Sequence, residues 1–168
     1  MKNVEVRLSH PELYIGSQVG TMRRTASMQN GNDKNKHAHK SDWLTDIHGA
    51  CAEMAASKYL GIYWEPRVAT RRNPTYKDPD LCNGMEVRAT AHPQGHLIIR
   101  PNDVFERTFI LVICEPPIFR LVGTLIGIEA RCDSYFHRGF DDEADCWWVP
   151  QDMLADLPPQ ARLWEAAA

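Results

Sequence analysis

The spacing of apolar residues at the start of the chain predicts a strand followed by a helix. Val4, Val6 and Leu8 recur at every second position, as in a strand with one buried face. Ser9 is followed three residues later by Glu12, which is a capping-box pattern, so a helix should begin there. The end of this helix is expected at the polar residues 30–33. Its core face is expected to contain Ile15, Val19, Met22 and Ala26.

A second helix is predicted immediately afterwards. Ser41 is in position to cap its start, and Gly61 is in position to end it. The apolar residues between them recur at helical spacing and predict a core face made of Leu44, Ile47, Cys51, Met54 and Ala55.

The second half of the chain has the composition of β-strands. Four apolar stretches, "MEVRAT", "HLIIR", "RTFILVICE" and "IFRLVGTLIGIEA", are separated by the short turn-like links "HPQG", "RPND" and "EPP". Links this short favour antiparallel hairpins, and a last strand is expected at "CWWVP", followed by a short helix from Gln151. We therefore expect an α+β fold in which two N-terminal helices pack on a mostly antiparallel or mixed sheet.

Length and composition fit one domain. The chain has 168 residues, 43% of them apolar, which is enough for a real core. We predict a single domain over residues 1–157, with an acidic loop insertion at 131–146 and a tail at 158–168. The longest apolar run, "FILVIC", has six residues, far fewer than the roughly 20 needed to cross a bilayer, so no membrane association is expected. The start, "MKNVEVRLSH", lacks the apolar stretch of a signal peptide, and the expected location is the cytoplasm.

Charge is distributed unevenly. The net charge is −3, made of −6 from residue 129 onward and +3 before it. The positive excess lies in two stretches, which is a pattern suited to a phosphate backbone, although solvated loops would look the same. The candidate nucleic-acid-binding residues are Arg23, Arg24, Lys34, Lys36, Lys40, Arg67, Arg71 and Arg72.

Acidic residues provide the candidate chemistry. Glu53 lies on the small-residue flank of the second predicted helix, where another backbone can approach closely. Asp80 precedes the strand-like "EVR", in which Glu86 and Arg88 share one face. Converging carboxylates of this kind bind hard divalent cations such as Mg²⁺ or Mn²⁺, which activate water for attack on a phosphate. A solvent-exposed helix glutamate and an ordinary charged strand are the alternative interpretation.

The chain resembles the PD-(D/E)XK nuclease superfamily, and more narrowly small uncharacterised phage and prophage proteins that look like its outlying members. The narrower resemblance rests on "HGACAEMAASKYLG", "GMEVRATAHPQGHLIIRP", "FILVICEPPIFRLVGTLIGIEA" and "WWVPQDMLADLP". It implies a restriction-endonuclease-like core and a divalent-metal-dependent DNA phosphodiesterase of phage or prophage origin in a host cell. By position, the metal ligands would be Glu53, Asp80 and Glu86, with Arg88 where the superfamily has lysine.

Departures from the superfamily pattern leave a second hypothesis open. Arg88 stays charged and cannot act as a lysine-type base. Only five residues separate Asp80 from Glu86, and a two-residue turn at Asn83 and Gly84 would point the two acids to opposite faces. The alternative is a nuclease-like fold without catalysis that binds nucleic acid or a host protein. A homo-oligomer is compatible with either hypothesis.

Overall fold

The α+β class predicted from the sequence is confirmed. A computed structural model of the chain describes residues 2–29, 42–68, 78–139 and 145–160. Its helices are α1 (His10–Gln29) and α2 (Asp42–Leu60), and both come before all but one of the strands. Several features predicted from the sequence lie outside the described residues: the helix end at 30–33, the cap Ser41, and the basic residues Lys34, Lys36, Lys40, Arg71 and Arg72.

The strands form two sheets. They are β1 (Val4–Arg7), β2 (Glu86–Thr90), β3 (Leu97–Ile99), β4 (Thr108–Glu115), β5 (Ile118–Ile126), β6 (Phe136–His137) and β7 (Cys146–Val149). The larger sheet has the order β1-β5-β4-β2, and the smaller sheet has the order β3-β7-β6. Short 3₁₀ helices follow β5 and β7 at Gly127–Ala130 and Gln151–Met153.

Helix α1 begins and helix α2 ends as the sequence predicts. The backbone N–H of Ser9 donates to Glu12 Oε2 at 2.6 Å, and the N–H of Glu12 donates back to Ser9 Oγ at 3.5 Å, which completes the capping box. At the end of α2, Gly61 has φ 66°, and the N–H of Ile62 donates to the carbonyl of Ser57 at 3.1 Å. This is the Schellman-type ending that the glycine indicates.

The predicted core face of α1 is partly wrong. Val19 is buried, but Ile15 and Met22 are 51% and 54% exposed. The face that meets α2 is instead built around Gly16 and Gly20. A Cβ added at Gly20 would lie 2.4 Å from Ile47 Cα, so the two helix backbones touch there. Glycine is not counted as a large apolar residue when a core face is predicted from spacing. The predicted face therefore fell on the neighbouring residues.

The apolar run "FILVIC" lies on β4, which is buried on both faces. Ile110, Val112 and Cys114 pack towards α2 in one core, whereas Phe109 and Ile113 belong to a second core with the smaller sheet. The fold therefore has three layers: helices, the larger sheet and the smaller sheet. A strand with two covered faces has no need of alternating polar residues, and this explains the continuous run.

Two predicted hairpins do not form. β2 pairs with β4 in parallel, with Glu86 opposite Phe109 and Thr90 opposite Ile113. β3, which lies between them in sequence, crosses to the smaller sheet and pairs antiparallel with β7. Only β4 and β5 make the hairpin expected from the short link between them. The parallel pair matters for function because it brings the start of β4 next to Glu86.

The smaller sheet includes part of the segment predicted as a loose insertion. β6 pairs with β7, placing Phe136 opposite Trp147. Trp147 packs in the second core, with its ring centroid 5.7 Å from that of Phe105, whereas Trp148 is 38% exposed and stacks on His137. The adjacent tryptophans therefore face opposite sides, as alternation along a strand requires.

Candidate functional site

The turn before β2 decides whether the acids predicted from the sequence can meet. The N–H of Leu81 donates to the carbonyl of Met85 at 3.0 Å, which leaves three residues in the loop rather than two. Gly84 has φ 89°, a left-handed conformation that glycine adopts without strain. The predicted two-residue turn at Asn83 and Gly84 is therefore wrong. The extra residue changes the register, so that Asp80 and Glu86 come together.

Asp80 and Glu86 lie close enough for each carboxyl group to act on the other. Asp80 Oδ2 accepts from the backbone N–H of Val87 at 2.8 Å, which fixes its orientation. Burial, followed by the charge of Glu53, raises the pKa of Asp80. Burial, followed by the charge of Asp80, raises the pKa of Glu86. Two carboxylates held this close repel each other, so the pair retains a proton more readily than separate acids do.

Glu53 lies close enough for its charge to act on this pair. It is on α2, only 5% exposed, and its carboxylate accepts two hydrogen bonds from Arg23 of α1, at 2.5 and 2.7 Å. Trp64 Nε1 lies 3.4 Å from Glu53 Oε2 and donates to it. The two-point ion pair gives Glu53 a fixed orientation and compensates its burial.

Two further arginines complete the site from the sheet. Arg107, immediately before β4, donates to Glu86 Oε1 through Nη1. Arg88, on β2, donates to Asp103 Oδ1 at 2.8 Å, and its Nη1 lies 4.0 Å from Glu86 Oε2. Arg88 Nε also donates to the carbonyl of Ile98 at 3.3 Å, which connects the site to the smaller sheet.

We call this set the acid–arginine cluster: Glu53, Asp80, Glu86, Asp103, Arg23, Arg88 and Arg107. Arg107 and Asp103 could not be selected from the sequence. Both depend on the pairing of β2 with β4 and on the crossing of β3 to the other sheet, and no local pattern encodes either. The three arginines make ion pairs with three of the four acids: Arg23 with Glu53, Arg88 with Asp103 and Arg107 with Glu86.

Only one part of the cluster, the pair Asp80 and Glu86, offers oxygen ligands suited to a divalent cation. Asp80 and Glu86 present oxygen atoms whose mutual repulsion a hard cation would relieve. Glu53 does not fit in the present arrangement, because both of its oxygens accept from Arg23. Within the described ranges, no group of three or more histidine, cysteine or acidic side chains is arranged to hold a metal ion.

Two of the described candidate basic residues, Arg23 and Arg67, are connected to this site. Arg23 uses its Nε to donate to the carbonyl of Arg67 at 2.9 Å. Arg67 in turn donates to the carbonyl of Pro79 at 2.8 Å and to Glu65 Oε2 at 2.5 Å, which ties the segment after α2 to the turn that carries Asp80. Arg24 is half-buried on α1.

Comparison with models of protein families, with curated proteins and with solved structures gives no match. Neither α1 nor α2, the two long helices in the described part of the chain, contains a stretch apolar enough to span a membrane.

Proposed function

We propose that the acid–arginine cluster binds Mg²⁺ or Mn²⁺ and hydrolyses phosphodiester bonds, with DNA as the first substrate to test. The observation that carries the proposal is the pairing of Asp80 with Glu86 by the three-residue turn. Burying two carboxyl groups against each other costs free energy, as their raised pKa values indicate. Such costs are concentrated at functional sites, where a ligand offsets them. The resemblance to PD-(D/E)XK nucleases supports the same chemistry.

Each residue has a role in this proposal. Asp80 and Glu86 would hold the cation, which supplies a hydroxide nucleophile at neutral pH and offsets charge on the phosphate. Glu53 would join them only if its ion pair with Arg23 were broken. Arg88 and Arg107 would bind the non-bridging phosphate oxygens and stabilise the negative charge that develops during attack. The cluster would thus act on phosphate without a lysine base.

A second candidate function is supported by the ion pairs within the cluster. Three of its four acids are already paired with arginine, and arginine occupies the position where the nuclease superfamily has lysine. A domain with this arrangement would bind nucleic acid or a host protein without cleaving anything. In either case the resemblance points to a phage or prophage protein acting inside a host cell.

The test is cleavage of single-stranded and duplex DNA in Mg²⁺ or Mn²⁺ by the full chain. Asp80→Asn is the informative variant, because an amide keeps the shape of the side chain and its bond from Val87. Glu5→Gln is the matched control, since Glu5 is exposed on β1 at the opposite edge of the larger sheet. We expect wild type and Glu5→Gln to cleave and Asp80→Asn to lose at least about 100-fold in rate, typical of losing a group that stabilises transition-state charge.

Two results would count against this assignment. Equal cleavage by Asp80→Asn and wild type would exclude the proposed metal site. Absence of cleavage by wild type, together with DNA binding that weakens steeply with added salt, would support the binding module instead.

A further inference from the structure

Helix α1 carries its charged residues on the side that faces the protein. Glu12 accepts from Lys58 Nζ at 2.8 Å, and Arg23 is held by Glu53. A surface helix ordinarily has the opposite arrangement, with its apolar stripe inside and its charges in water. On α1 the inward contact is made by Gly16 and Gly20, which leaves larger apolar side chains outside.

The outward stripe of α1 contains no charged residue over its whole length. We call it the α1 outer face, and it consists of seven exposed residues at helical spacing: Pro11, Tyr14, Ile15, Gln18, Met22, Thr25 and Gln29. Its three largest apolar side chains are highly exposed, Tyr14 at 69%, Ile15 at 51% and Met22 at 54%. A contiguous exposed apolar surface of this kind usually marks a site where another molecule binds.

We propose that two copies of this chain associate through the α1 outer face as an antiparallel, twofold-symmetric pair centred on Gln18. A twofold interface places one surface against itself, so any charge on it would meet a like charge. The absence of charge over seven positions removes this repulsion. A charged partner surface would find no opposite charge on the α1 outer face. This favours a second copy of the chain as the partner.

The spacing along the face fits an antiparallel pair. Tyr14 and Met22 are each four residues from Gln18, or about 6 Å along the helix axis. An antiparallel pair centred on Gln18 therefore places Met22 of one copy level with Tyr14 of the other.

The face is small for an interface. Specific interfaces bury about 1,200–2,000 Å² in total, roughly 800 Å² on each partner, and obligate dimers bury more. A stripe of seven residues on one helix is at the lower end of this range or below it. We therefore expect a reversible dimer rather than an obligate one.

The first test is sedimentation equilibrium of the full chain from about 1 to 200 µM. We expect wild type to approach twice the 19.2 kDa chain mass at the upper end of this range. Met22→Glu should remain a monomer throughout, with an unchanged circular dichroism spectrum. Ile128→Glu is the matched control, because Ile128 is 60% exposed in the 3₁₀ helix after β5, on another element. It should dimerise like wild type.

Cross-linking tests the orientation independently, in a Cys82→Ser background that removes the exposed thiol. Gln18→Cys lies on the proposed axis and should form an interchain disulfide on mild oxidation. Pro11→Cys should not, because its two copies would be about 20 Å apart, whereas a disulfide requires Cβ atoms about 4 Å apart. The proposal is wrong if wild type stays monomeric at 200 µM, if Met22→Glu still dimerises, or if Pro11→Cys cross-links better than Gln18→Cys.

Discussion

Replacing Asp80 by asparagine should make the protein more stable at neutral and alkaline pH while removing the proposed activity. The amide oxygen can accept the 2.8 Å bond from the N–H of Val87, and the amide NH₂ can donate to Glu86. The substitution therefore reproduces the protonated state of Asp80 and removes its charge. When neutralising a charged residue stabilises the fold, the charge itself is a cost to stability. Such a cost is expected at a residue whose charge is needed for function.

The pH dependence follows from the direction of the pKa shifts. Burial, then neighbouring charge, raises the pKa values of both Asp80 and Glu86 in the folded protein. The folded state therefore binds more protons than the unfolded state between the ordinary carboxyl pKa values, about 4, and the raised ones. The resulting stability is fully present below the ordinary values and is lost as pH rises through the raised ones. Asparagine does not titrate, so its advantage over aspartate should grow over the same pH window.

The expected gain from Asp80→Asn is about 1 kcal/mol at pH 8, corresponding to removal of one unfavourable charge contact in a partly buried site. For a chain of this size that is an increase of about 2–4 °C in Tm. Near pH 4 the gain should vanish. The assay is urea unfolding followed by tryptophan fluorescence at pH 4, 6 and 8 without divalent metal, with Glu5→Gln as control. The reasoning is refuted if Asp80→Asn destabilises the protein at pH 8, or if its effect is the same at all three pH values.

Two further predictions concern residues of α1 that pack or pair against α2. Arg23→Gln should lower the free energy of unfolding by about 3 kcal/mol, because it leaves the buried Glu53 carboxylate without its ionic partner, and denaturant unfolding measures the loss. Gly20→Ala should destabilise by about 2 kcal/mol despite the helical preference of alanine, because its Cβ would collide with the Ile47 backbone. Gly49→Ala is the control for that second prediction: nothing lies within 4 Å of a Cβ there, so it should stabilise by roughly 0.5–1 kcal/mol, and the same sign in both variants would contradict the packing argument.

The sequence predicts those elements whose signals are local. The capping box at Ser9, the glycine ending of α2 at Gly61 and the hairpin between β4 and β5 are confirmed, because each depends on residues only a few positions apart. The α+β class follows from the same local patterns. Trp147 and Trp148 face opposite sides, as strand alternation predicts.

What the sequence does not show depends on distant contacts. The parallel pairing of β2 with β4 places Arg107 beside Glu86, although 21 positions separate them in the chain. The inward face of α1 depends on the close approach of Gly20 to Ile47, which apolar spacing does not detect. The acids Glu53, Asp80 and Glu86 could be selected individually, but their arrangement rests on one extra residue in the turn at Gly84.

The most direct measurement for the whole account is an anomalous difference map from a crystal soaked in MnCl₂. A working metal site predicts a manganese peak bound by carboxylate oxygens of Asp80 and Glu86, with Arg23 moved away from Glu53. A map in which Arg23 still holds Glu53, Arg107 still holds Glu86 and no manganese lies between the acids would contradict it.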